Sequence, residues 1–147
     1  MKLAIVFNDH KLSGWLTKIG TGCYAYHAFW VDEDAGLMYD MHLIRRRRIW
    51  PHYQEGQVIL FDAPANVTSK YLEDQLNSDE NRYGVGDYIL FLLRPFFHLF
   101  GKSTPNVGGL ICSEMVNLDI WNCGGTTPWS VEVAPPSPCD LYRWLKS

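Results

Sequence analysis

A cysteine at the expected start of a helix is the residue of this sequence best suited to nucleophilic chemistry. Cys112 follows an apolar stretch over residues 108–111, and the positions after it predict a helix that runs to about Cys123. The first turn of a helix has unpaired backbone N–H groups and the positive end of the dipole, which favour a thiolate over a thiol. We therefore predict that Cys112 is a nucleophile with a lowered pKa, and that its own N–H stabilises an oxyanion.

A histidine and an acidic residue earlier in the chain could complete a catalytic triad with this cysteine. His27 lies in the apolar and aromatic run 24–31, which predicts a buried strand, and a turn over 32–36 leads to a return strand over 37–43. His27 would accept the thiol proton, and a group on the return strand would orient the imidazole through its second ring nitrogen. We favour Asp40 for that role. His42 is the alternative, because a shift of two residues keeps the same strand face.

Each candidate also has a structural interpretation. Cysteine is among the most buried residue types, so Cys112 could be a core residue, and His27 could be a core histidine with its hydrogen bonds satisfied. Cys23 is a rival thiol, although the Gly-Thr-Gly sequence before it indicates a loop rather than a helix start. Ser113 and Glu114 are expected to serve the start of the helix rather than the reaction.

The remaining pattern predicts an α+β protein in which short strands and helices position these residues. Further strands are expected over 3–7 and 58–61. Further helices are expected over 12–19 and over 88–93, the latter with a kink or restart at Pro95. Two more are expected from their caps: one from Asn66 or Thr68 to about Leu76, and one over 138–145 with Ser137 as N-cap.

Composition indicates one globular domain over residues 1–147. The chain is 47% hydrophobic and 14% aromatic, which excludes a disordered protein, and its net charge of −3 does not favour nucleic-acid binding. The run Arg45 to Arg48 is expected to be a solvated face, although on a strand alternate arginines would point the same way and could meet an anionic substrate or partner. No stretch has the length of a transmembrane segment or of a signal peptide, so a cytoplasmic location is expected.

The cysteines and histidines lack the spacing of a metal site. The cysteines at positions 23, 112, 123 and 139 form no CxxC pair, and His10, His52 and His98 are scattered, so we expect neither a metal nor another cofactor. Four cysteines are also too sparse for a disulfide scaffold, which favours reduced thiols. Cys123 and Cys139 are expected to be structural.

Several of these segments together resemble a known family. Residues 20–29, 39–41, 83–88 and 110–116 are similar to the circularly permuted branch of the NlpC-type papain-like cysteine peptidases. This branch includes the bacterial YiiX-like amidases and is related to the lecithin:retinol acyltransferases. Its histidine comes first in the chain and its cysteine late, as here.

The resemblance implies a permuted papain-like fold, in which a small antiparallel sheet packs against the helix that carries the nucleophile. It also implies a catalytic Cys112, a base His27 and an orienting residue that matches Asp40. A bacterial or phage origin would be consistent with it.

The expected function is that of a thiol protease or amidase, a cysteine-dependent hydrolase that cleaves an amide bond in a peptide or peptidoglycan-type substrate. Two alternatives stay open. The same residues could serve a thioesterase, phospholipase or acyltransferase, with the aromatic segment 88–100 lining an acyl groove. The domain could also be a catalytically silent binding module. The sequence does not indicate an oligomeric state.

Overall fold

The structure, a computed structural model, describes residues 1–7, 18, 22–41, 44–51, 57–76, 111–130 and 135–147. These residues form five strands and three helices. In chain order they are β1 (Lys2–Phe7), β2 (Ala25–Asp32), β3 (Leu37–Met41), β4 (Arg45–Ile49), β5 (Gln57–Asp62), α1 (Ser69–Leu76), α2 (Cys112–Asn122) and α3 (Pro138–Lys146). The mixed α+β architecture is as predicted, and β4 is an additional strand.

The five strands form one antiparallel sheet in the order β4-β3-β2-β1-β5. Alternate residues of each strand point to opposite faces, and both faces are buried. Helices α2 and α3 pack on the first face, which we call the helical face, against Leu3, Ile5, Ala28 and Trp30. The second face is formed by a cluster around Ala4, Val6, Phe29, Val31 and Met38. Burial on both faces explains why β1 and β2 are almost continuously apolar in sequence.

His27 lies on β2 immediately beside a bulge. Val6 pairs with His27, whereas Phe7 pairs with Ala25, so β2 has one extra residue at this point. The bulge brings Ala25 back to the helical face, where it joins the core. His27 pairs with Val6 and is two residues before Phe29, so it shares the second face with both, and its ring centroid lies 5.6 Å from that of Phe29.

The hairpin between β2 and β3 forms as predicted, with a ladder of three pairs from Trp30↔Tyr39 to Asp32↔Leu37. Its turn is closed by the backbone N–H of Ala35, which donates to Asp32 Oδ1 at 3.0 Å, and by Gly36, which has a φ of 64°. A positive φ of this size suits glycine, because it has no Cβ. Both strands continue past the end of this ladder toward Ala25 and Met41.

The helix starts predicted from capping residues are confirmed. Ser137 Oγ accepts from the N–H of Asp140 at 3.0 Å, and the carboxylate of Asp140 accepts in return from the N–H of Ser137 at 2.9 Å. Thr68 Oγ1 accepts from the N–H of Tyr71 at 3.2 Å, which identifies Thr68 as the cap of α1. Helix α2 ends before Gly124, whose φ is 79°.

The expectation that all cysteines are reduced is wrong for two of them. Cys23 and Cys139 form a disulfide, with their Cα atoms 6.0 Å apart and 116 positions apart in sequence. The bond links the segment before β2 to the start of α3. Spacing alone does not indicate this pair, because the packing of α3 on β2 is what brings the two residues together.

Candidate functional site

Cys112 is the first residue of α2, and the chain before it is extended. Ile111 has φ −90° and ψ 163°, and its carbonyl accepts the first helical hydrogen bond from Met115 at 2.9 Å. The side chain of Glu114 turns back to accept from the N–H of Ile111 at 3.4 Å. Glu114 therefore stabilises the helix start, as expected, and Ser113 lies fully buried beside it.

The thiol of Cys112 is held against strand β2. The backbone N–H groups of Ala28, of Ser113 and of Cys112 itself face the sulfur and favour the thiolate. Burial has the larger effect and raises the pKa of Cys112 to about 11, and the negative charge of Asp40 raises it further. The predicted lowering of the pKa is thus wrong in direction: the helix start contributes as expected, but the helix packs its first side chain into the core.

His27 is the residue before Ala28, so strand β2 brings it within one residue of the Cys112 thiol. Its side chain is only 6% exposed, and Cys112 is 7% exposed. The thiol approaches β2 from the helical face, whereas the alternation of β2 directs His27 to the second face. The thiol on one face and His27 on the other are therefore both next to Ala28. In the described residues, the pairing of β2 with β3 ends at Trp30, before it reaches Ala28.

Asp40 lies on the same face as His27 and is fully buried. Val31 pairs with Met38, and Asp40 is two residues after Met38, so it shares the second face. Arg46 lies directly opposite on β4 and donates from Nε to Asp40 Oδ1 at 3.0 Å. The role of Asp40 in orienting His27 stays a prediction. His42, the alternative, lies outside the described residues.

The run of four arginines is only partly the solvated face that the sequence suggested: Arg45 is buried, Arg47 is exposed and the other two are half-buried. It forms β4, and alternate side chains point to opposite faces. Arg45 and Arg47 lie on the helical face, where Arg45 Nη2 donates to Asp119 at 2.8 Å and Arg47 Nη1 to Glu73 at 2.8 Å. The alternation of side chains along a strand could be predicted from the sequence. The acidic partners could not, because Glu73 and Asp119 are distant from the arginines in sequence.

Asp119 on α2 is the acceptor of a buried polar network that sequence reasoning missed. Its carboxylate accepts from Trp30 Nε1 at 2.8 Å, from Arg45 Nη2 at 2.8 Å and from the Tyr71 hydroxyl at 3.0 Å. Burial raises the pKa of Asp119, while Arg45 and the other donors oppose that rise. The network fixes α2, and with it Cys112, relative to β2, β4 and α1.

The other candidates take no part in this arrangement. Cys23 is in the disulfide, and Cys123 is a free, half-buried thiol just after α2. In the part of the chain described here, no group of three His, Cys, Asp or Glu residues could hold a metal ion. None of the described helices has the length and apolar character needed to cross a bilayer. Of the expected helix 12–19 only Lys18 is described, and it is helical. The expected helix 88–93, the motif 83–88 and the aromatic segment 88–100 lie outside the described residues.

Comparison with known proteins identifies no relative of this chain. No family model, no curated protein and no solved structure matches it. The chemistry of Cys112, His27 and Asp40 is therefore inferred from their residue types and their positions in the fold.

Proposed function

We propose that this protein is a cysteine-dependent hydrolase with a permuted papain-like fold, and that it cleaves an amide bond in a peptide or peptidoglycan-type substrate. The nucleophile is Cys112, the base is His27 and the orienting residue is Asp40. One observation supports the proposal most directly: Cys112 is the first residue of a helix, and its thiol lies at the N–H of Ala28, the residue that follows His27 in β2.

The raised pKa of Cys112 determines how such an enzyme would work. A thiol with a pKa of about 11 is protonated at neutral pH, so a preformed thiolate is not the reactive species. The proton has to leave as the sulfur attacks, and His27 takes it as a general base. The thiol and the imidazole would meet at Ala28, beyond the last described pair of β2 with β3.

The remaining steps follow from this transfer. The sulfur of Cys112 bonds to the carbonyl carbon, and the N–H groups at the start of α2 stabilise the oxyanion that forms. The imidazolium of His27 then gives its proton to the leaving amine, and the C–N bond breaks to leave a thioester. Water, deprotonated by His27, attacks the thioester and releases the acid and the free thiol.

Asp40 supports this cycle through its position on the return strand. It is on the same face as His27 and is fully buried, as an orienting carboxylate has to be. A hydrogen bond from the imidazole to Asp40 would select one tautomer and stabilise the imidazolium.

Two thiols at opposite ends of α2 allow a matched test. We would assay a panel of alanyl and γ-glutamyl amides, together with esters of short and long acyl chains, using wild type, Cys112→Ser, Cys123→Ser and His27→Gln. Cys112→Ser and His27→Gln should each lower kcat on amides by at least about a hundredfold. Cys123→Ser should retain wild-type turnover, because Cys123 lies at the far end of the helix.

Three results would contradict the proposal. Amide turnover that survives in Cys112→Ser, or that falls equally in Cys123→Ser, would exclude Cys112 as the nucleophile. Turnover of esters with a steep dependence on acyl length, without amide cleavage, would identify acyl chemistry with the same residues instead. A lack of turnover on either set by the folded wild-type protein would leave the binding-module interpretation.

A further inference from the structure

We propose that Arg46 is a positioning residue for His27 and acts through Asp40. This inference rests on the proposed function and adds a fourth residue to its catalytic group. The supporting contact is the hydrogen bond from Arg46 Nε to Asp40 Oδ1, at 3.0 Å, between residues that lie directly opposite each other on β4 and β3.

The two partners of this contact differ in burial, and the buried one carries a negative charge that needs compensation. Asp40 has no exposed surface, whereas the Arg46 side chain is 34% exposed. A buried carboxylate is costly unless a positive charge or several donors compensate it. Arg46 supplies that charge from the rim of the sheet. Its neighbours on β4, Arg45 and Arg47, point to the other face and bind acidic residues of the helices.

A guanidinium on one carboxylate oxygen also restricts how Asp40 can orient its neighbour. Rotation of the carboxylate would break the hydrogen bond from Arg46, so the second oxygen is held in one direction. Asp40 can then present that oxygen to the imidazole of His27. Loss of Arg46 would remove this hydrogen bond and the positive charge beside the buried carboxylate.

The charged groups around Asp40 predict a second effect. Arg46 and Arg48 share its face from β4, His27 shares it from β2, and the Cys112 thiol senses its charge from α2. Removing the positive charge of Arg46 increases the net negative potential at the thiol. The pKa of Cys112 should rise further, because a negative neighbour disfavours the thiolate.

A double-mutant cycle on the full chain tests the inference. Arg46→Gln should lower kcat about tenfold with little change in KM, a size typical of coupling between contacting residues. In an Asp40→Asn background the same substitution should have no further effect, because the group through which Arg46 acts has lost its charge. Arg47→Gln is the matched control, because Arg47 is the next residue of β4 but pairs with Glu73 on the other face.

The alkylation rate of Cys112 as a function of pH gives a readout that does not need turnover. Peptide mapping after iodoacetamide treatment should show the Cys112 profile shifted to higher pH in Arg46→Gln, unchanged in Arg47→Gln and largely restored in Arg46→Lys. Thermal melts of every variant show whether it is folded, so that alkylation rates are compared only between folded proteins. If Arg46→Gln does not fold, the comparison of Asp40→Asn with Asp40→Asn/Arg46→Gln, in which the buried pair is neutral, carries the test.

The inference is overturned if Arg46→Gln lowers kcat by the same factor in both backgrounds, or if its Cys112 profile matches that of Arg47→Gln. These failures differ from failure of the hydrolase proposal. If the wild-type protein has no turnover but only Arg46→Gln shifts the profile, the coupling from Arg46 through Asp40 stands and the hydrolase is excluded. If the wild type is active and Arg46→Gln is equally active, only the role of Arg46 is excluded.

Discussion

Replacing Asp119 by alanine should be among the most destabilising single changes in the described part of the chain. The carboxylate accepts hydrogen bonds from Trp30, Arg45 and Tyr71, and its ion pair with Arg45 has side chains that are 0% and 1% exposed, respectively. Asp119→Ala would leave the guanidinium buried without its counter-charge. Breaking a buried pair in this way costs about 3–5 kcal/mol, a large part of the about 5–15 kcal/mol that stabilises a typical domain.

Urea unfolding followed by tryptophan fluorescence measures this loss directly. With a slope of about 2 kcal/mol per M, the midpoint should fall by about 1.5–2.5 M in Asp119→Ala. Arg47→Ala is the control, because it breaks a more exposed pair whose arginine is 52% exposed and which should contribute only about 0.2–1 kcal/mol. The double variant Arg45→Met/Asp119→Leu should recover part of the stability, since it removes both charges and keeps the volume but leaves the Trp30 N–H without its acceptor.

Two outcomes would refute this reasoning. A midpoint for Asp119→Ala close to that of Arg47→Ala would mean that burial does not decide the cost of losing a charge here. A double variant as unstable as Asp119→Ala would mean that the stranded guanidinium of Arg45 is not the cause of the loss.

Three further predictions concern the thiols and the last helix. The pKa of Cys112 rises from 9.0 to about 11 on folding. Titration of this thiol should therefore leave the free energy of unfolding unchanged below about pH 9 and lower it by about 2–3 kcal/mol as the pH rises to about 11. Urea unfolding over this pH range should show a loss that is larger in wild type than in Cys112→Ala by this amount, because Tyr39 and Tyr71, whose pKa values are raised to about 12, lose stability above about pH 10 in both proteins. Cys139→Ser should cost up to about 5 kcal/mol, because the disulfide to Cys23 closes a loop of 116 positions; an unfolding midpoint equal to that of wild type would contradict it. Ser137→Ala should cost about 1 kcal/mol in the same assay, through loss of the cap on α3, whereas Ser137→Thr should cost less, because it keeps the hydroxyl that contacts Asp140.

Local sequence signals predicted most of the described elements. The strands β1, β2, β3 and β5 appear as short apolar runs between turn residues, and capping residues marked the starts of α1 and α3. These features depend on neighbours in the chain, so the sequence contains them. Strand β4 was missed, because four consecutive arginines usually indicate exposure, and the acidic partner that lets Arg45 be buried is Asp119, 74 positions later.

The candidate site shows the same division between local and tertiary effects. The position of Cys112 at a helix start and of His27 on a strand could be predicted, because each depends on a short pattern. The direction of the thiol pKa could not, because it depends on how deeply α2 packs its first residue against β2. The ion pair of Asp40 with Arg46 was equally hidden, since it depends on the register of β3 against β4.

The bond between Cys23 and Cys139 encloses His27, Asp40 and Cys112 in one covalent ring. A single cut in the backbone anywhere inside that ring leaves the two parts in one molecule. The strand that carries His27 and the helix that begins at Cys112 therefore cannot be released from each other by one proteolytic event while the bond is intact. After reduction, the same nicked chain becomes two fragments that only non-covalent contacts, such as strand pairing and the packing of the sheet against α2 and α3, hold together.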